Sequence, residues 1–76
     1  MQKVKLIWDF NGLEAHKTSE HFKIHLIEFL NSHEILDFIT KVEAINEFHS
    51  ISFLIIDEGY VKIIKNALKP NRAYFV

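Results

Sequence analysis

The sequence has no cysteine, one proline and two glycines in 76 residues. Without cysteine there is no disulfide and no thiolate metal site. A domain of this size buries only about 60% of the surface its unfolded chain exposes, so its stability rests on a small apolar core with nothing covalent to reinforce it. An excess of charge of either sign is missing too. Nine Lys and Arg against ten Asp and Glu leave a net charge of −1. Lys62, Lys65, Lys69 and Arg72 are scattered rather than clustered, which argues against a nucleic-acid binder working through a positive face. No stretch approaches the ~20 apolar residues of a membrane span. Residues 4–10 read as a strand and not as a signal peptide, so the expected compartment is the cytoplasm.

What is present is apolar: 49% of the residues are hydrophobic. So small a domain cannot easily hide all of them, and some apolar surface is expected to be left for a partner. Glycine and proline punctuation is sparse, and no repeat, linker or low-complexity segment occurs. Residues 1–76 therefore read as one domain.

Val4, Leu6, Trp8 and Phe10 alternate with Lys3, Lys5, Ile7 and Asp9, the period of a strand with one buried face. Asn11-Gly12 breaks it. A helix is expected over 19–31, with Thr18 or Ser19 accepting backbone N–H bonds at its start and Phe22, Leu26, Phe29 and Leu30 as its core stripe. Residues 37–45 fit either a helix or a strand. The clear strand that follows over 49–56 needs a neighbour, and Asn46-Glu47 suits a tight antiparallel connection, so 37–45 is read as a strand. Asp57 caps a second helix over 58–69, whose stripe is Val61, Ile64 and Leu68 and which Pro70 stops. Residues 73–76 close as a short strand. The order is β-α-β-β-α-β, the α+β ferredoxin-like pattern: a four-stranded antiparallel sheet with two helices on one face.

The other face of such a sheet is open. If Val4, Leu6, Trp8 and Phe10 face the helices, and Ile51, Phe53 and Ile55 join them, then Ile7, Leu54 and Ile56 form an apolar patch on the open side. A homodimer through that patch is the simplest closed arrangement.

Five histidines are many for so short a chain. His21 and His25 are four apart on the expected helix, the spacing of a bidentate pair for zinc, nickel or copper. The topology also brings the start of the third strand, His49, to the end of the sheet where the first strand finishes. Asp9, His16, His21, His49 and Arg72 are thus expected at one end, with His25 one turn deeper. Two sites are compatible with this: a metal site of His21, His25 and His49 with Asp9 as a further ligand, or an anion site of Asp9, His16 and Arg72. A third possibility is a polar cluster that only closes the sheet. There is no Gly-rich phosphate loop and no recognisable nucleophile motif.

The run Val4-Lys5-Leu6-Ile7-Trp8-Asp9-Phe10, followed by Gly12, Ala15, Thr18, His21 and His25, then Asn46-Glu47 with His49 and Leu68-Lys69-Pro70 with Arg72, resembles a family of short uncharacterised bacterial proteins. The chain departs from it at Phe22, often a second His there, and at Ala73, often Gly. The resemblance implies no activity. Three functions are compatible with the sequence: a self-associating interaction or structural module, a transition-metal-binding protein, and a small enzyme or ligand-binding protein of the dimeric α+β barrel kind. The last requires a cavity between sheet and helices, a space that Trp8, Phe22, Phe29 and Phe53 are expected to fill.

Overall fold

The computed structural model describes residues 2–76. Strand β1, Lys3–Asn11, is followed by helix α1, Ala15–Ser32, strand β2, Ile39–Asn46, and strand β3, His49–Asp57. A 3-10 turn, Glu58–Tyr60, leads into helix α2, Val61–Leu68, and strand β4, Arg72–Phe75, ends the series. The sheet order is β2-β3-β1-β4 with every neighbouring pair antiparallel, which is the ferredoxin-like arrangement. Most of the ambiguous segment 37–45 is a strand. The need of β3 for an edge partner outweighs the helical spacing of Ile35, Phe38, Ile39 and Val42.

Helix α1 starts a full turn before the expected cap. Ser19 is therefore interior and fully buried, and its hydroxyl donates to the His16 carbonyl at 2.7 Å. The first turn is instead closed by backbone, with Ala15 N–H donating to the Gly12 carbonyl at 3.1 Å. Asp57 does act as expected at the other helical segment, accepting from Gly59 N–H at 3.0 Å.

The scarcity of glycine shows at both helix ends. Past α1, Ile35 N–H donates to the Leu30 carbonyl at 2.9 Å and Glu34 N–H to the Asn31 carbonyl at 3.0 Å. This is a Schellman closure, completed by the burial of Leu30 and Ile35 in the core. It forces Glu34 to φ 59°, and the end of α2 likewise forces Lys69 to φ 49°. Left-handed backbone is strained for side chains with a Cβ. Glu34 also places a carboxylate at the negative end of the α1 dipole. Glu34→Gly and Lys69→Gly are each expected to stabilise the fold by about 0.5–1 kcal/mol. Urea denaturation checks this, and a loss of stability in both variants would contradict it.

The core lies between the sheet and the two helices. Leu6, Leu26, Leu30, Leu54, Ile56 and Ile64 are fully buried there with Val4, Trp8 and Ile35, while Phe22, Phe29, Val61 and Leu68 pack at its margin. The register fixes which face each strand residue takes. Val4 stands opposite Ile56, Leu6 opposite Leu54, Trp8 opposite Ser52 and Phe10 opposite Ser50. Directly opposed residues in an antiparallel pair share a face. Leu54 and Ile56 therefore point to the helices, and Ile51, Phe53 and Ile55 point away from them with Ile7.

This corrects the expected patch of Ile7, Leu54 and Ile56. Only Ile7 lies on the open face, while Leu54 and Ile56 are both 0% exposed in the core. The cause is volume. The rings of Trp8 and Phe22 lie 4.9 Å apart and those of Phe10 and Phe22 5.5 Å apart, so three aromatics fill the core at the Phe10 end of the sheet. That leaves room on β3 for nothing larger than Ser50 and Ser52. Ala15 and Ser19 of α1 are buried as well, and the Ser52 hydroxyl donates to the Ser19 carbonyl at 2.7 Å, drawing the helix close to the strand.

Candidate functional site

Two features of the open face are chemically distinctive: a polar clasp at one end and an apolar layer beside it. The clasp is centred on Asp9 of β1. His49 of β3 stands diagonally across from it and Arg72 of β4 flanks it on the other side. Asp9 Oδ1 lies 2.8 Å from His49 Nε2. Arg72 donates twice, from Nε to Oδ2 at 3.1 Å and from Nη2 to Oδ1 at 2.8 Å. An ionised carboxylate has only acceptors, so the His49 nitrogen that meets it carries a proton. Asp9 N–H donates to Asn71 Oδ1 at 2.9 Å, and Asn71 N–H donates to the Ile7 carbonyl at 2.8 Å. One residue thus ties three strands and the turn before β4 together.

Burial pushes the Asp9 carboxyl upward, but the hydrogen bonds and positive charge of His49 and Arg72 outweigh it and hold it below its ordinary value of 3.8. A folded-state pKa below the unfolded one favours folding above the unfolded value, and that contribution is lost as pH falls through the folded one. Asp9→Asn is therefore expected to be less stable than the wild type at neutral pH, with the gap closing in acid below 3.8. Urea titrations across that range check this. A gap constant from neutral pH into strong acid would contradict it.

The structure brings Asp9, His49 and Arg72 together and leaves the other candidates apart. His16 stays on its own helix, its Nε2 3.6 Å from Glu20. His25 Nδ1 lies 3.4 Å from Glu28, and both His21 and His25 are exposed on α1. His49 is on the face of the sheet that α1 does not cover. Among the described residues, no three His, Cys, Asp or Glu side chains are grouped to hold a metal ion. His21, His25 and His49 thus do not form one ligand set. Helical spacing gave the first two a common side, but strand pleat sent the third to the opposite face of the sheet.

The clasp resembles the acid–imidazole part of a hydrolytic triad, yet among the described residues no nucleophile joins it. The hydroxyls of Ser50 and Ser52 lie on the covered face, opposite Phe10 and Trp8. No family model, curated protein or solved structure matches the chain. No helix among the described residues is long and apolar enough to cross a membrane.

On the covered side, Trp8, Phe22 and Phe29 occupy the space a ligand cavity would need, whereas Phe53, expected to share that role, lies on the open face. The Trp8 indole N–H donates to the Leu68 carbonyl at 2.8 Å, capping the last turn of α2. A groove of about 260 Å³ lies at the margin, between α2 and β4, lined by Val4, Val61, Ala73 and Phe75.

The sequence reading expected an apolar open face but placed Leu54 and Ile56 on it in place of Ile51, Phe53 and Ile55. Ile39, Ile55, Lys5 and Tyr74 form one row across the four strands, and Lys41, Phe53, Ile7 and Arg72 form the next. Glu43, Ile51 and Asp9 follow. Lys5 Nζ sits 4.3 Å from the centre of the Phe53 ring, placing both on this face. The signal was available in the pairing rule. Once Leu6 is inward, an in-register antiparallel neighbour must place alternate residues of β3 inward with it, and only one of the two phases puts serines beside Trp8 and Phe10.

Proposed function

We propose that this protein is a small cytoplasmic interaction module that pairs with a second copy of itself through the open face of its sheet. The observation that carries this reading is the apolar layer with no helix over it. Ile7 and Ile51 form its floor, screened by the side chains around them, and Phe53 and Ile55 stand half-buried beside them. Ile39 and Tyr74 flank these and are 52% and 51% exposed. This apolar surface is rimmed by Lys3, Lys41, Glu43 and Arg72, and Lys5 lies across it with its amine over Phe53, so it has the anatomy of an interface, a largely apolar centre with a polar rim. Two sheets stacked face to face bury such layers about 10 Å apart.

Strand spacing and rise give the face a footprint of roughly 500 Å² per copy, the size range of weak and transient contacts. The pairing is thus of modest affinity, formed at micromolar concentrations and above. Sedimentation velocity across a concentration series tests it. The expected result is a shift from monomer toward dimer over the micromolar range, and a single monomeric species up to millimolar concentration would overturn it.

A further inference from the structure

The open face carries its charges in rows, and the rows select one way for two copies to meet. Lys41 and Arg72 flank the Phe53–Ile7 pair, whereas Glu43 and Asp9 flank Ile51 in the next row. Lys41 and Glu43 are exposed, and among the described residues neither forms an ion pair within the chain. Asp9 and Arg72 already satisfy each other.

A face-to-face dimer needs a two-fold axis lying between the sheets. If that axis ran along the strands through the middle of the sheet, β2 would lie over β4 of the other copy. Lys41 would then stand against Arg72, which Asp9 already pairs, and would gain no acidic partner of its own. If the axis runs across the strands, between the Phe53 row and the Ile51 row, each strand lies antiparallel over its own counterpart. Phe53 then covers Ile51 of the other copy, and Lys41 meets Glu43 of the other copy, twice by symmetry. We infer that the second copy docks in this antiparallel register, with two reciprocal Lys41–Glu43 ion pairs closing the rim at β2.

This inference rests on the self-association proposed above, and its test separates the two. Lys41→Glu places acidic residues against acidic ones at both contacts, and Glu43→Lys does the same with basic ones. Each single variant is expected to dimerise about ten-fold more weakly than the wild type, because two exposed pairs turn from attraction to repulsion. The two single variants mixed in equal amounts form a heterodimer in which one copy is acidic and the other basic at both positions. Each contact then again joins a carboxylate to an ammonium group. The mixture is therefore expected to associate about as tightly as the wild type, which no change in the folding of either variant can produce. Sedimentation velocity on each variant and on the mixture reads this out. A wild type that dimerises with both single variants unaffected, or a mixture no tighter than its components, overturns the register and leaves the self-association standing. A wild type that stays monomeric overturns both.

Discussion

Leu54→Ala is expected to cost about 2–5 kcal/mol, the range for emptying a fully buried leucine site. A chain of this length has a total stability of roughly 4–11 kcal/mol, so the variant would lose a large share of its folded population on mild denaturation. Leu54 has no exposed surface and stands opposite Leu6, which has none either. It belongs to the same buried cluster as Leu26, Leu30 and Ile56, in the middle of the core. The neighbouring position gives the contrast. Ile55 points to the open face and is only partly buried, so Ile55→Ala removes less buried area from the monomer, opens no enclosed cavity and is expected to cost less. Urea denaturation at low protein concentration measures both in the monomer. If Leu54→Ala cost under about 1 kcal/mol while Ile55→Ala cost more, the phase of β3 would be inverted.

Phe53→Glu is expected to abolish self-association while leaving the monomer folded. Phe53 is at the centre of the apolar layer, flanked in its own row by Lys41 and Ile7. A carboxylate there would have to be buried against apolar surface of the second copy. Removing a central aromatic anchor while adding that penalty weakens association by about 100-fold or more. In the monomer the change leaves the buried core cluster intact, since Phe53 is no part of it. Lys5, which now lies over the ring, and Lys41 beside it would give the new carboxylate cationic neighbours. Sedimentation velocity is expected to find a monomer at concentrations where the wild type is dimeric, with an unchanged far-UV circular dichroism spectrum. Wild-type-like association of Phe53→Glu would show that the contact lies elsewhere.

The architecture was legible in the sequence because each element carried a local signature. The alternation over Lys3–Phe10, the Leu26–Leu30 stripe and the capping Asp57 are short-range signals, and short-range physics produced the corresponding structure. The ambiguous strand Ile39–Asn46 was settled by a requirement from outside it, that β3 have a partner. The facing of β3 was less legible because both of its sides are apolar at two or three positions. Ile51, Phe53 and Ile55 are all large and apolar, whereas the other side mixes Ser50 and Ser52 with Leu54 and Ile56, and bulk alone favours burying the first set. The deciding quantity was the volume already taken by Trp8, Phe10 and Phe22, which depends on more than one element at once.

The site followed the same pattern. Asp9, His49 and Arg72 meet because the topology brings the starts of β3 and β4 to the end of β1, and the strand order alone implied this. His21 and His25 seemed to belong with them because they share that end of the molecule. They stand on the helix layer, while the pleat turns His49 to the other face. Position along the sheet was readable from the order of elements, but position through its thickness required the register.

The most direct test of the central proposal, that a second copy covers the open face, uses the many isoleucines as probes. With their δ1 methyl groups isotope-labelled, relaxation by a neutral soluble gadolinium chelate reports how accessible each one is. Ile39 and Ile55 report the open face, whereas Ile24 and Ile63 are exposed on the two helices. Raising the protein concentration from low micromolar to millimolar is expected to shield Ile39 and Ile55 from the chelate and to leave Ile24 and Ile63 as accessible as before. Unchanged access at Ile39 and Ile55, or shielding of the helix methyls in their place, would contradict the account.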